Sequence, residues 1–132
     1  MKKRADANFA IKTWDEKPYS EAAGMPKLTR ASVKKTFTGD IGGDSEVEYL
    51  MMYNADGTAA FVGLERIVGR LGGKSGSFVL QRSGSYDGKL AKETYSVVPG
   101  SGTGQLTGLS GQGSSSAGHG KENPITLDYE LD

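Results

Sequence analysis

The 132-residue chain contains no cysteine. That excludes disulfides, thiolate metal sites and cysteine nucleophiles, and it favours a reducing compartment. Histidine is nearly absent. His119 stands alone in Ala117-Gly118-His119-Gly120, and one imidazole cannot build the usual two- or three-histidine metal site. Neither a metal nor a cofactor is expected. Charge of one sign is missing as well: 16 Lys and Arg offset 16 Asp and Glu, which leaves no overall positive field for a nucleic acid. The basic start Lys2, Lys3, Arg4 reads as a solvated terminus. The ADANFAIKTWDEK segment after it lacks the apolar stretch of a signal peptide. No run approaches the roughly 18 apolar residues of a membrane helix. A cytoplasmic location, with no membrane and no nucleic-acid partner, is the expectation. The length suits one domain, residues 1–132, large enough to bury a core without staples.

What the chain has in excess is glycine, 20 residues against four prolines. The turn signals Ile41-Gly42-Gly43, Asp56-Gly57, Gly72-Gly73 and Asp87-Gly88 follow one another in steps of 14, 16 and 15 residues. Gly-Gly and Asp-Gly supply the positive φ angles of two-residue hairpin turns. Between them lie Val-, Thr-, Tyr- and Phe-rich runs at 45–53, 58–69, 75–84 and 89–98, none with a capped apolar stripe of helical period. Residues 7–14 and 27–37 read as two earlier strands and 125–131 as the last. Residues 102–113 read as one or two short, glycine-kinked strands. Residues 15–26 are expected to be a break, either a lid over one mouth or a plain connector. A weak repeat, Gly-x-Ile/Leu-Gly-Gly-x-Ser at 39–45 and again at 69–75, predicts one hairpin turn used twice at the same end of a meander. A long apolar meander must hide its edges. Pairing 125–131 with a strand near the start would close it into an all-β antiparallel barrel of about eight strands.

Hairpin counting then places a polar cluster. Two-residue loops at Asp56-Gly57 and Gly72-Gly73 put Glu65 opposite both Glu48 and Leu80, with Arg82 as the diagonal neighbour. One face carries Glu48, Leu50, Met52, Phe61, Gly63, Glu65, Ile67, Phe78, Leu80 and Arg82; the other carries Val47, Tyr49, Met51, Tyr53, Val62, Leu64, Arg66, Val79 and Gln81. Counting back from Gly42-Gly43 sets Phe37 opposite Glu48 and points the Glu48–Glu65–Arg82 face inward. A slip of one residue would invert the assignment. Both faces are largely apolar, so a second subunit is expected over the outer one, making a homo-oligomer. Two adjacent carboxylates in an apolar hollow resist joint ionisation unless Arg82 neutralises them, which makes Glu48 and Glu65 the candidate acid–base groups. The competing reading is a structural ion-pair group. The candidate ligand-binding set is Glu48, Met52, Phe61, Glu65, Phe78, Leu80 and Arg82.

Other motifs fail. Gly73-Lys74-Ser75 would end a phosphate loop, but the required earlier glycine is Val68 and a strand follows. The glycines at 100, 102 and 104 miss the dinucleotide fingerprint at Gln105 and Thr107. Trp14 and Tyr19 flank the early break, as rim aromatics or as packing groups.

Several segments together resemble a known family: Trp14 to Glu21 with KLTRASVKKTFTGD (27–40), the long stretch 47–81, VVPGSGTGQLTGLSGQG (97–113) and TLDYEL (126–131). They look like a bacterial family of uncharacterised proteins with an allene-oxide-cyclase-like β-barrel. The resemblance implies an eight-stranded antiparallel barrel with an interior cavity, commonly oligomeric, and names no reaction. Three functions fit these readings. The first is binding of a small, mostly apolar or amphipathic molecule inside the barrel. The second is an isomerase- or cyclase-type enzyme with one poised interior carboxylate. The third is a non-catalytic interaction protein whose barrel is filled by its own side chains.

Overall fold

Alternation of inward and outward side chains runs through almost every segment, and the backbone follows it. The computed structural model describes residues 2–117 and 123–131; His119 lies outside them. The strands are β1 (Lys2–Ser20), β2 (Lys27–Gly39), β3 (Ile41–Tyr53), β4 (Ala59–Leu71), β5 (Lys74–Tyr86), β6 (Ala91–Val97), β7 (Ser110–Ala117) and β8 (Pro124–Glu130). A single 3-10 turn at Gly104–Leu106 interrupts them, and no α-helix occurs among the described residues. No helix there is long and apolar enough to cross a membrane.

Each strand pairs antiparallel with the next, and the chain's last strand returns to its first: residues 2–8 of β1 pair with β8 while residues 7–20 pair with β2. The eight-stranded antiparallel sheet is therefore a ring, and ordinary edges are largely removed. Where β5 outruns β6, the 98–109 segment takes over. Thr103 N donates to Ser77 O (2.9 Å), and Ser77 N donates to Thr103 Oγ1 (3.0 Å).

Two of the three counted turns differ from the count. Gly72-Gly73 is the two-residue loop expected, with Leu71 facing Lys74. The β3–β4 loop, however, spans residues 54–58, because Asp56 Oδ1 accepts from the Thr58 N–H and hydroxyl and organises a longer turn. Tyr53 then faces Ala59, and Glu65 faces Val47 rather than Glu48. The β2–β3 reversal is at Asp40, with Gly42 and Gly43 already inside β3, so Phe37 faces Gly43 and Glu48 faces Ser32. The two copies of the Gly-Gly repeat do share one end of the sheet, since Gly72 N donates to Asp40 O (2.9 Å). The expected break at 15–26 shrinks to residues 21–26, because 15–20 continue β1 after a bulge near Lys12. A lid built from the whole 15–26 segment is thereby excluded. Residues 102–113 are a loop and the 3-10 turn, followed by the start of β7.

Many glycines serve neither turns nor bulges. Five stand directly across the ladder from an aromatic ring: Phe37–Gly43, Tyr49–Gly63, Phe61–Gly84, Tyr95–Gly113 and Tyr129–Gly111. A ring of only eight strands curves tightly, and interior space there is scarce. The missing side chain lets each ring lie flat across its neighbour's backbone. A Cβ on Gly63 would sit 2.8 Å from Tyr49 Cδ1 and 2.6 Å from Glu48 O; one on Gly113 would sit 2.6 Å from Tyr95 Cε2.

The inside is filled unevenly. Toward the Asp40 and Gly72-Gly73 end, Ile41, Ile67, Leu71, Phe78 and Leu80 pack with Ile125, Leu127 and the plug residues Leu106 and Leu109. A second cluster of Ala31, Val33, Val47 and Tyr49 lies toward the other half. Gly63→Ala is expected to destabilise the fold by about 1–3 kcal/mol through overpacking. Gly42→Ala, whose Cβ would meet only the far end of the Arg70 side chain at 3.5 Å, should stay within about 1 kcal/mol of wild type. Urea unfolding of the two variants checks the contrast.

Candidate functional site

The strand parity that the loops set brings four charged side chains together in the middle of the ring. β2 points Thr29, Ala31, Val33, Lys35 and Phe37 inward, β4 points Glu65, β5 points Arg82, and β6 points Glu93. Glu65 and Arg82 are fully buried and Lys35 is 2% exposed, while the Glu93 side chain keeps 11%. Arg82 Nε donates to Glu65 Oε1 (2.6 Å), and Arg82 Nη1 donates to Glu93 Oε1 (2.6 Å). Ser45 Oγ donates to Glu65 Oε2 (2.7 Å), and Lys35 Nζ stands 3.3 Å from the same oxygen. Lys35 also donates to the Tyr49 hydroxyl (3.1 Å) and lies over the Phe9 ring, 4.3 Å from its centroid. The Arg82 guanidinium stacks on Tyr95, with Cζ 4.7 Å from the ring centroid. Arg82 Nη2 faces Glu65 Oε1 as an ion pair without hydrogen-bond geometry.

Two cations and two anions give the layer a formal charge of zero. That balance is what lets charges survive away from water. Burial would push the Glu65 carboxyl up, but Arg82 and Lys35 hold it below its ordinary value. Burial depresses the Lys35 ammonium against the pull of Glu65, with Arg82 adding to the depression. Burial raises the Tyr49 phenol, so it stays protonated.

Above the charged layer, toward the 54–58 and 87–90 turns, the ring is hollow. The cavity measures about 410 Å³ and takes side chains from all eight strands. Its walls are mainly aromatic and aliphatic: Phe9, Ile11 and Trp14 from β1, Tyr49, Met51 and Tyr53 from β3, Phe61 from β4 and Tyr86 from β5. Lys35 and Glu93 are its charged lining groups. At the rim, Glu16 fixes two of the aromatics. It accepts from Trp14 Nε1 (2.9 Å), from the Tyr53 hydroxyl (2.5 Å) and from Thr29 Oγ1 (2.6 Å). Burial works to raise the Glu16 pKa, and these three donors bring it below its ordinary value instead. Burial and Glu16 push the Tyr53 phenol up to about 12.

The expected site residues divide accordingly. Glu65 and Arg82 meet, as the Gly72-Gly73 count required. Glu48 does not join them: it points outward, accepting from Ser32 Oγ (2.6 Å) and pairing with Arg30 (3.3 Å). The one-residue difference in the 54–58 loop is the cause. Glu48 and Glu65 therefore form no adjacent pair, and Glu65, the one of the two that faces inward, is stabilised as an anion. Met52, on the same parity as Glu48, also leaves the interior, and Met51 takes its place on the cavity wall. Phe61 lines the cavity, whereas Phe78 and Leu80 lie in the solid half. Lys35, Ser45, Tyr49 and Glu93 were not picked out from the sequence. The signal for Lys35 was its place between Val33 and Phe37 on an otherwise apolar alternation; for Glu93 it was its alternation with Tyr95 and Val97.

Glu65→Gln leaves two cations facing one anion in a dry layer and is expected to cost about 3–5 kcal/mol. Glu48→Gln, at an exposed pair, should stay within about 0.5 kcal/mol. The folded pKa of Glu65 is depressed. Its contribution is therefore present above the ordinary value of 4.5 and lost as pH falls through the folded value. Urea unfolding between neutral pH and pH 3 should show a flatter acid limb in Glu65→Gln than in wild type.

Comparison with known proteins agrees with this architecture and carries no activity. A family model described as a protein of unknown function (DUF3224) matches residues 5–129. A crystal structure of a DUF3224-family protein of unknown function from Shewanella oneidensis MR-1 is 31% identical, covers 100% of this chain and 99% of its own, and superposes with a TM-score of 0.82. No curated protein matches. With its matched region running almost from end to end, the chain belongs to the DUF3224 family, whose function is unknown.

Proposed function

We propose that the strand ring works as a β-barrel container, of the kind the allene-oxide-cyclase-like resemblance implies, and binds a small, mostly apolar molecule in its open half. The observation that carries this reading is the division of the interior. One half is packed solid, while the other keeps a cavity of about 410 Å³ with an aromatic wall and a charge-balanced floor. That volume falls within the roughly 300–1,000 Å³ of small-molecule sites. A neutral floor disfavours a permanently charged ligand, which would enter with no free counter-charge to meet it. The carboxylate-catalysis reading draws less support. Glu65 already accepts from Arg82 and Ser45 and is held ionised, so it is a poor proton donor near neutral pH.

Trp14 is the chain's single tryptophan and lines the cavity, so binding has an internal reporter. Adding Nile red, a neutral apolar dye, should blue-shift the dye's emission and quench Trp14 with saturation. Ala91→Trp, which fills the space between β6 and the opposite wall, should weaken the dye about tenfold or more with the circular dichroism unchanged. Dye that binds neither saturably nor with sensitivity to Ala91→Trp would sink the proposal.

The outer face favours a second copy of the chain. Leu50, Val62 and Leu64 are 49%, 52% and 56% exposed on adjacent strands, with Leu50 directly facing Val62. The Arg30–Glu48 pair beside them offers both signs of charge, so a two-fold-related copy meets its complement. Sedimentation velocity should give a dimer or larger assembly that Leu64→Glu converts to monomer; a monomeric wild type at high protein concentration removes this assignment.

A further inference from the structure

We propose that Lys35 captures small aldehydes or ketones that enter the cavity, holding them as a reversible imine on its Nζ. The proposal rests on the cavity-binding reading and gives its ligand a chemical class.

Three features of Lys35 point to this chemistry. It is the lysine among the cavity-lining residues, so an entering molecule meets one primary amine. That amine is surrounded by rings rather than water: Phe9 at 4.3 Å and Tyr49 at 5.5 Å from their centroids. Finally, the anion beside it is already engaged. Glu65 is also paired with Arg82 through Oε1 and accepts from Ser45 through Oε2, so it keeps two other partners while Lys35 reacts. A lysine desolvated in an apolar pocket next to another cation is the arrangement that frees an amine for attack on a carbonyl. The groups facing Nζ are Tyr49 from β3, Glu65 from β4, Arg82 from β5 and Glu93 from β6. Burial and Arg82 disfavour the ammonium, the two carboxylates favour it, and the net direction is downward from the ordinary lysine value.

The step balances. Lys35, an ammonium in the resting layer, first gives one proton to solvent; the lone pair so freed forms the N–C bond while the carbonyl π pair moves to oxygen. That oxygen takes a proton from the Tyr49 hydroxyl, 3.1 Å from Nζ, and Tyr49 recovers one from the nitrogen. Expulsion of the carbinolamine hydroxyl as water uses a second proton passed the same way. Amine and carbonyl become imine and water, with no oxidant or reductant, and Tyr49 ends as it began. Its raised pKa keeps the phenol protonated at the start. A carbonyl compound with an apolar body fits the walls, and its single polar atom reaches the floor.

The test uses 1-naphthaldehyde with sodium cyanoborohydride, which fixes an imine as a stable secondary amine, followed by peptide mapping by mass spectrometry. Lys35 should gain one naphthylmethyl group about tenfold or more faster than exposed lysines such as Lys12. Excess Nile red should suppress labelling at Lys35 and leave Lys12 unchanged. Lys35→Arg keeps the positive charge but has no amine of this kind; it should lose the cavity label while Lys12 is labelled as in wild type. Should that variant fail to fold, the dye competition on wild type decides by itself. Nile red binding without preferential labelling of Lys35 overturns the imine proposal and spares the container. Absence of both dye binding and labelling overturns the two together.

Discussion

The Glu65–Arg82 pair is the interaction on which the rest of the interior depends. Neither side chain reaches water, so each is tolerable only because the other is there. Their meeting requires β4 and β5 to hold one register, and a slip of one residue would turn one of the two charges outward and leave the other buried without its partner. The pair therefore acts as a register lock in the β4–β5 ladder. Ser45 and Lys35 bring β3 and β2 into the same lock, and Glu93 brings in β6. Five consecutive strands are tied through one small group of charges.

This layer also divides the interior into two kinds of space. Below it, Phe78, Leu80 and the Leu106–Leu109 plug make a dry core of ordinary packing. Above it, the same ring leaves room, because the side chains there are large rings braced at the rim rather than interdigitated aliphatics. Glu16 braces Trp14 and Tyr53, and Trp14 stacks on Tyr49 with centroids 6.2 Å apart. Rings held by hydrogen bonds at their polar ends have little freedom to collapse into the hollow. A preformed cavity is the physical result, and a ligand entering it orders few further side chains.

The glycines complete this picture. In a narrow ring, an aromatic residue on the inner face has to lie across the neighbouring strand, and only glycine leaves that place vacant. Pairs such as Tyr49–Gly63 and Tyr95–Gly113 give up side-chain contacts on one strand to seat a ring from the next. Gly43 and Gly69, which face each other near the Asp40 end, go further: a Cβ on either would run into the other strand's backbone at 2.2 or 2.0 Å. Curvature and glycine content are thus two views of one constraint.

By itself the sequence determined the class of fold, the position of most strands and the meeting of Glu65 with Arg82. These follow from local physics: period-two alternation, β-branched and aromatic runs, and a Gly72-Gly73 loop whose geometry sets the β4–β5 register. Only the tertiary structure decided which carboxylate faces inward, that Lys35 and Glu93 join the interior group, and where the ring is hollow. Alternation establishes that neighbours point oppositely but leaves open which parity is inside. That choice passed to a loop, 54–58, whose length depends on the hydrogen bonds of Asp56 to Thr58. The glycines of the inner face were equally silent, because their partners are rings on other strands and meet them only once the sheet has curved.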